Sequence, residues 1–217
     1  MSQTKFATVL FVAFPAIAAA QTPLPELRIE PTAGGSIFYV RNNSPVALTA
    51  YLIELVDYPG SSYSLWQDET VADPIPPKGE KRIQVANMTV GAVPDYVKMQ
   101  AALYAGGTTA GIPEKVAQLL DRRRSMLETT RQLIGRMEKA QAGGTAKAAL
   151  VADLKQWADT LQPAGKGNRN SPAAVNQAAA RTLIASTAAR LDAQSLAESL
   201  TVLRAWERAL GAGAPPR

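Results

Sequence analysis

The side chains that would widen the available chemistry most are missing. The 217-residue sequence contains neither histidine nor cysteine. Without an imidazole base near neutral pH, the usual serine and cysteine hydrolase arrangements are excluded. Zinc sites built on His or Cys, disulfides and lipid attachment through cysteine go with them. What remains is paired carboxylates, a lysine base, or Mg²⁺ or Ca²⁺ held by carboxylates. Asp57, Asp68, Glu69 and Asp73 gather around the short segment Tyr63–Trp66, so two or three of them could converge on Ca²⁺. No D-x-D-x-D-G loop fixes such a geometry, and the competing reading is solvated loop acids that discourage sheet-edge pairing. A carboxylate-based glycan hydrolase would need two acids about 5–10 Å apart in a cleft. The residue types assign no catalytic group, metal or cofactor, and the expectation is a non-enzymatic protein.

Binding chemistry is better supplied. Arg122, Arg123 and Arg124, followed by Arg131, Arg136 and Lys139, form the densest basic cluster. On a helix, Arg124 and Arg131 share a face at a spacing of seven, while Arg123 tilts toward the apolar stripe. Such a face could hold an anionic envelope polymer, a lipid headgroup or an acidic partner domain. Asp121, Glu128 and Glu138 temper it toward an ordinary solvated face. A second set is aromatic: Tyr51, Tyr58, Tyr63, Trp66 and Tyr104. Planar rings stack on sugars and anchor interfaces, with strand core as the alternative. Trp66, beside Gln67 and Asp68, is the most exposed-looking of the set. Candidate binding residues are therefore Arg122, Arg124, Arg131, Arg136 and Trp66. No nucleic-acid reader motif is present, and GKGNRN (165–170) lacks the order of a phosphate-binding loop.

The elements that must position these residues change character near Gly111. Residues 21–111 carry six Lys/Arg and nine Asp/Glu, whereas residues 112–217 carry sixteen and nine. A charge shift that coincides with a change of hydrophobic period marks a boundary between a domain over 21–111 and another over 112–217. The first part reads as six or seven short strands with turn residues between them. Leu27–Ile29 alternates, Ile37–Val40 and Leu48–Val56 are β-prone, and Asn42-Asn43-Ser44-Pro45 reads as turn chemistry although Asn42 and Asn87 head sequons. Lys81–Val85 follows a proline-rich turn. In the last run, Val97, Met99, Ala101 and Leu103 are expected on one face, with Lys98, Gln100 and Tyr104 opposite. Strand number and turn placement over roughly 26–111 resemble the immunoglobulin-like or fibronectin-like β-sandwiches of exported bacterial proteins. The resemblance carries fold alone.

The second part reads as helices near 113–141, 145–161, 171–191 and 195–210. Pro113 and Glu114 suit a helix start, and Gly143-Gly144 stops the first helix. Thr145 is the expected cap of the second, Ser171-Pro172 opens the third, and Ser195-x-x-Glu198 has capping-box spacing. Coiled-coil periodicity in the first helix lasts about three heptads, which leaves homodimerisation open. The fold class expected is α+β in two parts: an N-terminal antiparallel sandwich, then an all-α region of about four helices.

Residues 1–20 combine Lys5, an apolar run Phe6–Phe14, Pro15, and Ala18 and Ala20 in an A-x-A arrangement. That order predicts a cleavable signal peptide, with the mature chain starting at Gln21 and residing in the periplasm or outside the cell. No later run has the roughly 20 apolar residues of a membrane span. The functional expectation is an exported interaction or structural protein. Its sandwich makes contacts, its basic helical part serves packing or assembly, and its partner is another protein or an anionic envelope component.

Overall fold

The computed structural model describes residues 22–56, 64–68, 73–86, 94–161 and 171–212. Residues 1–20, expected to be a signal peptide, together with Asp57, Tyr58, Tyr63, Glu69, Asn87 and residues 163–170, lie outside the described residues. Among the described residues the order is seven strands, then four helices: β1 (Glu26–Thr32), β2 (Gly35–Arg41), β3 (Leu48–Leu55), β4 (Ser64–Asp68), β5 (Glu80–Ala86), β6 (Val97–Tyr104) and β7 (Thr109–Gly111), followed by α1 (Pro113–Ala142), α2 (Lys147–Thr160), α3 (Pro172–Ala193) and α4 (Leu196–Ala212). The strands form two antiparallel sheets, β1-β2-β5 and β4-β3-β6-β7. No helix among the described residues is long and apolar enough to cross a membrane.

Period-two patterning decides which strand faces are buried. Phe38 and Val40 of β2, Val85 of β5, Tyr51 and Ile53 of β3, and Tyr104 of β6 share one apolar core. The other face of the four-stranded sheet is apolar too. There Ala50, Leu52, Ala101 and Leu103 meet Leu119 of α1, with Val116 and Leu120 alongside.

Two β-bulges make this second face, and they correct the alternation expected for β6. Opposite β3, the register steps from Ile53↔Met99 to Leu52↔Ala101, so Gln100 is an extra residue; between Leu48↔Tyr104 and Ala50↔Leu103 the extra residue is Thr49. A bulge flips the facing of every residue beyond it. Val97, Met99, Ala102 and Tyr104 consequently face the shared core, while Ala101 and Leu103 turn toward α1. Each bulge leaves a carbonyl to satisfy. Ile112 N–H donates to Gln100 O at 2.9 Å, and Arg123 donates to Thr49 O at 3.2 Å. Gly111 makes the first contact feasible: at φ +110°, it sits where a Cβ would collide with Gln100 O.

The helix α1 runs unbroken for 30 residues, about 45 Å. Its first turns lie on the sheet. Its C-terminal half contributes Leu133, Ile134 and Met137 to a separate helical core with Leu150, Leu154, Ile184 and Leu203. α2 packs on α3, α3 on α1, and α1 on α4. The helix ends are local chemistry. Thr145 N–H donates to Ala140 O at 2.9 Å and Gly144 N–H to Gln141 O at 3.3 Å, with Gly144 at φ +62°; this is a Schellman stop. Because Thr145 completes that stop, Ala146 rather than Thr145 is the cap of α2. Ser171 caps α3 through Ala174 N–H. At α4 the capping box is complete: Ser195 N–H and Oγ donate to Glu198 Oε2 at 2.8 and 2.7 Å, and Glu198 N–H donates back to Ser195 Oγ at 3.2 Å. These bonds hold the Glu198 carboxyl below its ordinary range.

Candidate functional site

The basic cluster falls on α1, but the helix distributes it among several surroundings. Arg123 is 2 % exposed. Its guanidinium donates to Thr49 O at 3.2 Å and to Thr49 Oγ1 at 3.1 Å, and that hydroxyl donates in turn to Leu103 O at 3.0 Å. Arg122 is partly buried and engaged within the protein. Arg131 reaches Glu207 of α4 at 2.9 Å. Arg136 reaches Asp153 of α2 at 2.8 Å and lies 4.6 Å from the Trp157 ring centroid. Arg124 pairs with Asp121 one turn back at 2.8 Å, and its side chain is 74 % exposed. Arg124 and Arg131 do share a face, as their spacing requires. With Asp121, Leu127 and Glu128 they line an open groove of about 510 Å³. Arg136, by contrast, turns toward α2. Of the four predicted cations, Arg124 and Arg131 share one groove and Arg136 turns away from it, and these three meet carboxylates.

The aromatic set divides as well. Tyr51 and Tyr104 are fully buried. Burial pushes the Tyr104 phenol up to about 12, and its hydroxyl donates to Pro23 O at 2.6 Å. Trp66 stands in β4 opposite Leu52. Of the loop acids, Asp68 stands in β4 opposite Ala50, and Asp73 is exposed. Among the described residues, no three acids gather as a metal site would need.

Sequence reasoning missed Tyr39. On the outer face of the three-stranded sheet it stands between Arg28 of β1 and Arg82 of β5. The Arg28 guanidinium lies 3.8 Å from its ring centroid and also pairs with Glu30. The Tyr39 hydroxyl donates to Glu30 Oε2 at 2.8 Å. That bond, aided by Arg28, holds the Glu30 carboxyl below its ordinary range. The result is a tyrosine ring fixed in orientation on an exposed sheet, a rigid amphipathic contact point. The three strands were each legible; the cross-strand register that assembles the group was not.

A last concavity lies between β7 and the first turns of α1. It holds about 450 Å³ and is lined by Thr22, Thr109, Ala110, Gly111, Pro113, Val116, Ala117 and Leu120. Two exposed apolar residues, Leu24 and Ile112, follow closely in sequence on residues of its wall. Compared with known proteins, the chain matches no family model, and no curated protein or solved structure is significantly similar to it.

Proposed function

We propose that the chain is an exported, non-enzymatic interaction protein whose two sheets form a fibronectin-like sandwich that makes the contacts, held at a fixed orientation by the helical part. The observation that carries this reading is α1, a single helix whose start belongs to the sheet surface and whose end belongs to the helical core. A continuous helix anchored at both ends transmits position rather than hinging. The sandwich reading is supported by the core common to both sheets and by the strand order. That order departs from the constant immunoglobulin arrangement only in the fourth strand, which pairs with the third. Export rests on the leader-like order of residues 1–20. The contact group is Arg28–Tyr39–Glu30 on the three-stranded sheet, held by the ring contact and the hydroxyl bond.

A second reading, polyanion binding along α1, is favoured by one observation: Arg124 and Arg131 line the same open groove. Co-sedimentation with isolated bacterial envelopes at low and high salt separates the two. The proposal expects pelleting that survives high salt and is lost in the Arg28/Tyr39/Arg82→Ala variant. Pelleting that vanishes at high salt and in Arg124/Arg131/Arg136→Ala would establish the polyanion reading instead. No pelleting under any condition would discard the envelope as the site of contact.

A further inference from the structure

We propose that two copies of the chain pair through the outer edge of β7, joining their four-stranded sheets into one across a two-fold axis at Ala110. Neither export nor contact with an envelope enters this inference. Among the described residues, β7 ends the order β4-β3-β6-β7, and a terminal strand leaves one row of backbone groups without a ladder. Two bonds fix which groups these are. Thr108 O accepts from Tyr104 N–H at 2.9 Å, and Ile112 N–H donates to Gln100 O at 2.9 Å. In a trans peptide the C=O and the next N–H point opposite ways. Thr109 N–H and Gly111 C=O therefore both point away from β6. The edge offers a donor at one end and an acceptor at the other, with Ala110 between them.

Such an edge is complementary to itself. With a second β7 laid antiparallel and the two Ala110 residues opposite each other, Thr109 N–H meets the Gly111 C=O of the second copy. The two-fold repeats that bond in reverse, and Thr109 C=O and Gly111 N–H close the remaining bonds in the same register. An interface of this kind is isologous, with the same patch on both sides. Side chains do not obstruct it: the strand is Thr-Ala-Gly, with neither the charge nor the proline that blunts an exposed edge. Room is present as well. The groove of about 450 Å³ runs along Thr109, Ala110 and Gly111, and its wall of Pro113, Val116, Ala117 and Leu120 carries no charge. Ile112, 46 % exposed, follows directly on the edge and loses water on pairing. An edge of three residues falls well short of the roughly 800 Å² per partner of a stable complex, so the pair exchanges with monomer.

The chain has no cysteine, so single-cysteine variants report the register directly. Across the axis the two Ala110 Cα atoms stand about 4.5 Å apart as a non-hydrogen-bonded pair, within disulfide reach. The two Thr109 Cα atoms are offset by two residues along the strand, about 9 Å in all, and lie beyond it. Under mild oxidation of the full chain, Ala110→Cys should form covalent dimer at least tenfold faster than Thr109→Cys, although position 109 is the more exposed. Sedimentation of the wild-type chain should show a reversible dimer that grows with concentration. Thr109→Pro deletes the outward donor and follows Thr108, already extended at ψ 148°. It should weaken the association at least tenfold and leave the urea midpoint unchanged. If that midpoint falls too, the cysteine pair decides by its relative rates. Monomer at every concentration overturns the proposal. So does a dimer that Thr109→Pro leaves intact, or one that cross-links as fast at 109 as at 110; either assigns association to another surface, such as α1.

Discussion

The sheet half and the helical half bury polar groups in opposite ways. In the sheets, buried polar side chains tie together segments far apart in sequence. Asn42, 0 % exposed, donates through Nδ2 to Val46 O at 2.8 Å, Ile75 O at 3.0 Å and Pro76 O at 3.2 Å, and accepts from Ser44 N–H at 3.0 Å. The same nitrogen is the one a sequon would offer to glycan, so the reading of Asn42-Asn43-Ser44 as turn chemistry stands. In the helices, the buried threonine hydroxyls bond only their own preceding turn: Thr129 to Ser125 O, Thr130 to Met126 O and Thr187 to Leu183 O. Charge there is kept at the rim, in Arg131–Glu207, Arg136–Asp153 and Arg204–Glu138. A half held by long-range polar ties should be brittle to single polar deletions, and a half held by apolar packing should absorb them.

The sharpest test is Asn42→Ala. It orphans backbone groups from two segments at once, and the expected loss is about 3 kcal/mol, read as a lower midpoint in urea with an unchanged slope. The matching change in the helical half, Thr187→Val, keeps shape and removes only a local bond, so it should cost less than about 1 kcal/mol. Similar losses for the two would erase the distinction.

Arg123→Met probes the seam between the halves. The aliphatic stem keeps its packing while the Thr49 carbonyl and hydroxyl lose a buried donor, a cost of about 2 kcal/mol. Combined with Thr49→Val, the loss should be less than additive, as expected of groups in direct contact. Because α1 belongs to both cores, circular dichroism and tyrosine fluorescence should report one shared transition for the wild-type chain. Two separate transitions would mean that α1 does not couple the halves.

How far this organisation could be read in advance follows the same divide. Helix stops and starts are written in adjacent residues, and Gly143-Gly144, Ser171-Pro172 and Ser195-x-x-Glu198 were all legible because their partners lie within five positions. The seam was half legible: spacing alone turned Arg123 toward the apolar stripe, but nothing in α1 names Thr49 as its acceptor. The sheets concealed more. Bulges at Thr49 and Gln100 depend on how β3 and β6 pair, so strict alternation placed Ala101 and Leu103 with Val97 and Met99 when they face the other way. Of the two readings open for the aromatic set, Tyr51 and Tyr104 take the core one, while Tyr39, which cross-strand pairing sets beside Arg28, went unnoticed.

Tyr104 offers the sheet half an alkaline pH handle. Its phenol is raised by burial to about 12, above the ordinary value near 10. The stability this represents is intact below pH 10 and is lost as pH rises from about 10 through about 12, because only the unfolded chain ionises readily in that window. Tyr104→Phe should cost about 1 kcal/mol at neutral pH, through the lost bond to Pro23 O. It should also flatten the alkaline limb of the stability profile. An unaltered limb would assign the alkaline loss to other groups.

The smallest effect expected is at the rim. Arg131 and Glu207 are 52 % and 34 % exposed, so replacing Arg131 with Gln should cost about 0.5 kcal/mol at low salt and nothing measurable at high salt. The value of the experiment lies in what a larger number would mean. A loss above about 2 kcal/mol would show that α4 depends on its charged edge and not on Leu200 and Leu203 against α1, reversing the contrast between the halves. A small loss has the opposite consequence for function. An ion pair that contributes so little to folding can open at little cost, and Arg131 would then be available to the groove it shares with Arg124. Weak coupling at this position would keep the polyanion reading alive, and strong coupling would close it.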